Sequence, residues 1–268
     1  GTGYAEATAV DLARIDPAAL GREAAESARA SARPVEVAPG DYPVVLSEYA
    51  VVDLLDYLGY LGFSALAVQQ GRSFFEPGKV VGSELVTIVD DAFDRAGTPT
   101  AFDDEGVAKE RVVLLERGVC RELVYDTETA TAAGRRSSGH GLPAPNPWGP
   151  FPLNQAMSPG EATREELLGG LDRGLYVTRI WYSNPVHEKR LIMTGMTRDG
   201  TYLVEDGRIV APVRNLRFTQ SYLDVLRDTV AVGRERKTLS AMLGTFVVPA
   251  LRASAFTFTG VSRSDLPG

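Results

Sequence analysis

Cysteine is almost missing from this sequence of 268 residues, with Cys120 the only one. A lone thiol closes no internal disulfide, so a disulfide framework is excluded and a reducing cytoplasm is the expected home. Cys120 lies in the strand-like run GVCRELVYD, where it is expected as a small buried apolar residue. Histidine is nearly as scarce. His140 and His187 are far apart, and neither belongs to an H-E-x-x-H or Cys/His ligand spacing. Long apolar runs are absent too: nothing approaches the roughly 20 residues that span a bilayer. The opening GTGYAEATAVDLARID lacks the basic and apolar regions of a signal peptide. Basic charge is in deficit, with 28 Lys and Arg against 35 Asp and Glu and a net charge of −7. Direct nucleic-acid binding needs a basic footprint that releases counterions, and this balance argues against one. The densest basic tract, RERK at 234–237, is broken by Glu235 and reads as a solvated turn or helix end.

What remains is ample for a globular core: 44% hydrophobic residues with 24% charged. Asp16 as N-cap and Pro17 at the first helical position predict a helix to about residue 32. The strand YPVVLS hands over to a helix across 47–60, and GFSALAVQQGRSFF predicts a second helix after the Gly59–Gly62 region. From residue 84 the short apolar runs ELVTIVDD, KERVVLLERG and VCRELVYD, bounded by Gly and Asp, predict strands, with Gly118 in a tight hairpin. TETATAAG and TREELLGGLDRG predict short helices around the Pro- and Gly-rich stretch 135–160, too broken for regular structure. The strands LYVTRIWYS, RLIMTGMTRDG and TYLVEDGRIV follow, with hairpin signals at Asp199-Gly200 and Asp206-Gly207. SYLDVLRDTV predicts a helix, and TFVVPALRASAFTFTG closes with strands. Grouped strands with helices inserted between groups mean an α+β fold, a β-rich antiparallel domain with hairpin meanders.

Most chemical motifs fail. GRSFFEPGK has the wrong glycine spacing for a phosphate loop, GTG lacks a third glycine, and no G-x-S-x-G elbow exists. The acids Asp90, Asp91, Asp94, Asp103, Asp104 and Glu105 lack calcium-loop spacing, and charged hairpin ends facing water explain them more simply. The helix at 47–60 is more telling. At about 100° per residue, Val51, Leu54, Leu55 and Leu58 share one face, while Tyr49, Asp53, Asp56, Tyr57 and Tyr60 share the other. These five, with His140 of the long loop, are the candidate cleft or peptide-binding residues. An ordinary wet face, and a surface histidine, are the alternatives.

QGRSFF, LVTIVDD, FDDEG, SSGHGLPAPN, RGLYVTRIWYSNP, TGMTRDGTYLVEDGRI, PVRNLRFTQS and FTFTG together resemble the C-terminal domain of the TldD/PmbA (TldD/TldE) family, across nearly the whole chain. The resemblance implies that residues 1–268 form that domain and that the chain starts where the family's N-terminal domain would end. The family's TldD type carries a His-Glu-x-x-x-His helix and a late cysteine that hold zinc, and its TldE/PmbA type lacks them. The helix at 47–60 stands in the metal helix's place, with Asp56, Tyr57 and Tyr60 roughly at the metal and base positions, and VVPALRASAFTFTG contains no cysteine. The implied role is a non-catalytic TldE/PmbA-like subunit with no cofactor and no zinc, which binds peptide substrate and pairs with a TldD-like protease subunit or with itself as a dimer. An autonomous peptidase or hydrolase using carboxylates and His140, or a gyrase-modulating regulator, is the alternative. Two structural expectations follow. The 139–153 loop should flank the cleft through Trp148 and Phe151, and edge strands of the 174–205 meander or the neighbouring helices should expose an apolar surface.

Overall fold

The computed structural model describes residues 1–242 and 244–262. Its helices are α1 (Pro17–Ala30), α2 (Glu48–Leu58), α3 (Ala65–Gln69), α4 (Thr127–Ala132), α5 (Arg164–Gly169) and α6 (Tyr222–Arg227). The strands are β1 (Gly40–Leu46), β2 (Ile88–Asp90), β3 (Val112–Glu116), β4 (Val119–Cys120), β5 (Asn154–Met157), β6 (Arg173–His187), β7 (Ile192–Glu205), β8 (Arg208–Pro212), β9 (Leu216–Ser221), β10 (Thr229–Ser240) and β11 (Thr245–Val261). All the strands join one sheet of order β1-β6-β7-β9-β11-β5-β2-β3-β4, and β11 also pairs with β1. The pairings β1–β6–β7–β9–β11–β1 therefore close a ring, which removes the edges those five strands would otherwise expose. Most pairs are antiparallel, with β1–β6 and β11–β5 parallel, so the fold is α+β as expected.

β11 is the strand on which the others converge, pairing with β1, β5, β9 and β10, and it is buried on both sides for half its length. Phe246, Val248, Leu251, Ala253, Phe256 and Phe258 are all buried, and Phe256 packs edge to face against Phe218 of β9 and tilted against Phe258. α2 lies against β6 and β11 and drives Val51, Leu54, Leu55 and Leu58 wholly into this core. Burying four such side chains is worth about 1.5–3 kcal/mol each relative to exposure, the main force that fixes the helix in place. A π-helical turn, Gly59–Phe63, ends it.

Several sequence expectations need correction. The helix expected across GFSALAVQQGRSFF stops at Gln69. Gly71 adopts φ 70°, and the Arg72 and Gly71 amides donate back to Ala67 O and Val68 O, the bond pair of a Schellman stop. Phe74 and Phe75 then enter the core as extended chain. The Asp199-Gly200 pair makes no hairpin; it lies within β7. Opposite Thr178 the β6–β7 register slips, and Asp199 at φ 57° and Gly200 at φ 133° form a bulge that turns Asp199 toward Arg179, 2.7 Å away. The β6–β7 reversal occurs instead at Glu188–Arg190, whereas Asp206-Gly207 does form the β7–β8 hairpin. RERK is neither a turn nor a helix end but lies inside β10. The Pro-rich stretch ends in a buried strand, β5, that its composition concealed.

Candidate functional site

Ser47 begins α2: its carbonyl accepts the amides of Ala50 and Val51, while its hydroxyl donates to Thr178 O of β6 and pins the helix to that strand. With one face buried, the Tyr/Asp stripe is directed at the gap between β6 and the end of β10. That gap is a cleft of about 580 Å³. Tyr49, Asp53, Asp56 and Tyr57 line it from α2, Arg179–Ser183 from β6, Leu239–Met242 from the β10 end, and Tyr4 and Glu6 from the chain's start. The structure thus brings four of the six candidate residues together.

The other two stand elsewhere. Tyr60 stacks on Phe151 with ring centroids 5.4 Å apart and so anchors the long loop beside the helix, outside the cleft lining. Trp148, expected as a second anchor, is 57% exposed. His140 faces neither cleft nor solvent. It is 0% exposed, with Nδ1 2.9 Å from Ser138 Oγ and Nε2 3.0 Å from Asp90 Oδ1. Asp90 also accepts the Asn154 amide at 2.8 Å and lies 3.9 Å from the buried Lys109 ammonium. Ser138 Oγ accepts the Tyr125 amide, so each member is used in tying β2 and β5 to the loop, and none of them lines the α2 cleft. The acids expected in water are partly internal for the same reason: Asp90 and Asp103 are buried acceptors, Asp103 of the Gly141, Glu105 and Val107 amides.

Asp53 reaches from α2 to β6 and α6. Its Oδ2 accepts Ser183 Oγ at 2.8 Å and the Tyr222 hydroxyl. Burial pushes its carboxyl up to about 7, against the pull of those two donors. One turn on, burial pushes Asp56 up to about 6, opposed by a bond from the Met242 backbone. Tyr57 donates to the Ser183 carbonyl, and burial, then the Asp53 charge, pushes its phenol up to about 12. Burial likewise pushes Tyr4 up to about 12. Arg179 is already engaged: besides Asp199, its guanidinium lies 3.9 Å from the Tyr4 ring centroid and 4.9 Å from that of Trp181. At the mouth, Trp181 is 46% and Tyr182 65% exposed. The sequence reading missed Arg179, Trp181, Tyr182, Ser183 and Tyr222; the aromatic pair in RIWYS was the available signal.

This donor set does not fit a family-type zinc ion. No imidazole or thiol lines the cleft, burial holds the protons on Tyr4, Tyr49 and Tyr57, and Asp53 is occupied by two hydroxyls. Among the described residues no three His, Cys, Asp or Glu side chains converge as a metal shell. What the cleft can do is accept hydrogen bonds from amides, stack apolar or aromatic side chains, and hold a proton near neutral pH. Among the described residues no helix is long and apolar enough to cross a membrane.

Residues 39–260 match the family described as the PmbA/TldA metallopeptidase C-terminal domain. A TldD metalloprotease homologue of Buchnera aphidicola (from Schizaphis graminum) is 31% identical over 209 residues, 75% of this chain and 42% of its own length. A metalloprotease of Methanothermobacter thermautotrophicus is 28% identical over 231 residues, 84% of this chain and 50% of its own. A Thermotoga maritima protein solved as a candidate modulator of a DNA gyrase superposes with TM-score 0.83 at 28% identity, over 94% of this chain and 57% of that one. TldE of Thermococcus kodakarensis shares the fold, with TM-score 0.84 at 22% identity over 95% and 58% of the two chains. The chain spans about half the length of the curated relatives it matches. It belongs to the PmbA/TldD metallopeptidase family, whose C-terminal domain it carries.

Proposed function

We propose that this chain is a TldE/PmbA-type, non-catalytic subunit of a TldD/TldE-type metalloprotease: it binds extended peptide in the α2–β6–β10 cleft and pairs with a zinc-bearing TldD-type subunit, in the cytoplasm. The carrying observation is the composition of the cleft. Where the resemblance puts a metal helix, α2 presents Asp53, Asp56 and Tyr57, with Tyr49 at its start and Trp181 and Tyr182 across from them. Carboxylates and a tyrosine hydroxyl accept amide hydrogens, and exposed aromatic rings cover side chains without demanding one sequence. That suits the capture of unfolded peptide. The second support is the exposed apolar half of β6, where Trp181, Tyr182 and Val186 offer a surface to a partner.

The test is fluorescence anisotropy with labelled, unstructured peptides of about ten residues, followed by co-purification with a TldD-type subunit. Saturable binding that falls about tenfold or more in Tyr57→Ala, from loss of a packed aromatic contact, is the expected result. Peptides that bind the wild type and Tyr57→Ala equally would place recognition elsewhere. A chain that ignores every TldD-type subunit would remove the pairing half of the proposal.

A further inference from the structure

Two cations of this chain stand beside the α2 cleft, and both are held by a tyrosine ring and a carboxylate together. The Arg179 guanidinium lies 3.9 Å from the Tyr4 ring centroid and donates to Asp199 at 2.7 Å. The Lys237 ammonium lies 4.6 Å from the Tyr49 ring centroid and donates to Glu23 at 2.7 Å. Both charges are thereby paired. The acids of the cleft are not. Among the described lining residues Arg179 is the one base, set against Glu6, Asp53 and Asp56, and none of these three forms an ion pair. Their partners are neutral. Glu6 accepts the hydroxyls of Tyr4 and Thr8 and the Ser240 amide, and Asp53 accepts two hydroxyls. Asp56 has the bond from the Met242 backbone. Tyr57 follows Asp56 on α2 and Tyr182 comes from β6, so a carboxylate and two aromatic rings line one space.

We infer that the α2 cleft selects peptides that carry a lysine or arginine, whose cationic head pairs with Asp56 and whose stem lies against Tyr57 and Tyr182. This names a substrate class for the site proposed above and rests on that peptide-binding reading. The combination of ring and carboxylate is the one that already holds Arg179 and Lys237 nearby. A carboxylate withdrawn from water without a cation is costly to ionise, and burial pushes Asp56 up to about 6. A bound ammonium or guanidinium offsets that cost, because opposite charge and ring face attract it together in a site short of water. A norleucine side chain would gain the rings alone, and a glutamate would meet the unpaired charge of Glu6 and Asp56. The remaining groups keep this sign. Burial raises Tyr4, Tyr49, Tyr57 and Tyr222, so they stay neutral, while Arg179 and Lys237 stay paired. Asp53, pushed up to about 7, adds negative charge as pH rises. The cleft therefore grows more attractive to a cation from pH 5 to 8.

Fluorescence anisotropy with four labelled, unstructured ten-residue peptides tests this. The peptides share one neutral Ser/Ala/Gly host and differ at one central position, which is lysine, arginine, norleucine or glutamate. At pH 7.5 and low salt the lysine and arginine peptides should bind the wild-type chain about tenfold more tightly than the norleucine peptide, with the glutamate peptide weakest. At pH 5, where Asp56 carries its proton, that advantage should shrink to about twofold. Asp56→Asn keeps an acceptor for the Met242 amide. It should erase the advantage at both pH values while the norleucine peptide binds as before, a pattern that a misfolded variant cannot give. Should Asp56→Asn fail to fold, the pH profile of the wild type decides. A lysine advantage that survives in folded Asp56→Asn, or that is the same at pH 5 and 7.5 in the wild type, overturns the inference. Four equal affinities overturn it too and leave peptide binding standing. Four peptides that all fail to bind the wild type overturn both readings.

Discussion

Asp53 keeps its proton at pH values where an aspartate in water has long lost it, because α2 and β6 withdraw it from solvent faster than two hydroxyl donors can compensate. Its carboxyl is raised from 3.8 to about 7, so the folded protein binds that proton more tightly than the unfolded chain does. The resulting stability is fully present below about pH 4 and is lost as pH rises through 7. Asp53→Asn removes the titration and keeps an acceptor for Tyr222 and Ser183. Its stability relative to wild type should therefore climb between pH 4 and 7 and level off above. We expect about 1–2 kcal/mol at the plateau, well below full linkage because cleft water screens the charge. Urea unfolding at pH 4.5, 6 and 8 reads this out; parallel curves for the two proteins would contradict it. At this scale the sequence was legible where helical periodicity operates. Val51, Leu54, Leu55 and Leu58 read as buried and are, which in turn aims Tyr49, Asp53, Asp56 and Tyr57 at the cleft. His140 was illegible because its partner, Asp90, lies 50 residues away and no local pattern announces the pair.

Turns and bulges show how elements are held. In the β3–β4 hairpin, Arg117 at φ 48° and Gly118 at φ 74° make the two left-handed residues of a tight turn. A Cβ on Gly118 would sit 2.1 Å from Gly82 O, a backbone atom with no freedom to move aside. Gly118→Ala should thus cost about 2 kcal/mol or more. Gly106→Ala, at φ 77° with nothing within 4 Å, should cost only about 1 kcal/mol. Equal denaturation midpoints for the two variants would refute the packing argument. Phe151→Ala should free the long loop from Tyr60 and destabilise by about 3 kcal/mol, measured by thermal or urea unfolding. Element by element, Asp206-Gly207 and Gly118 declared themselves by turn chemistry. Asp199-Gly200 used the same chemistry for a bulge, and only the long β6–β7 pairing distinguishes the two outcomes. β5 stayed hidden because four buried residues, Asn154–Met157, leave no period to detect amid prolines.

At the scale of the molecule, the closed ring of β1, β6, β7, β9 and β11 makes the frame, while the outer half of β6 remains open for contact. Trp181, Tyr182 and Val186 project from that half of β6. If they meet a partner, Trp181→Ala/Val186→Asp should weaken association by about tenfold or more, since interface aromatics dominate binding and a buried charge opposes it. Light scattering and co-purification at micromolar concentration would show it, and unaltered association would move the interface elsewhere. The overall class was readable from hairpins and grouped strands. The ring closure was not, because β1 meets β11 across more than 200 residues of chain. The proposed role, support of proteolysis without performing it, is tested by hydrolysis of an unstructured peptide by this chain alone, by a TldD-type subunit alone, and by the two mixed, all with zinc supplied. No turnover by this chain is expected, and a rate for the mixture well above that of the TldD-type subunit by itself. Turnover by this chain alone that Asp53→Asn and Asp56→Asn abolish, or a mixture no faster than the TldD-type subunit, would contradict it.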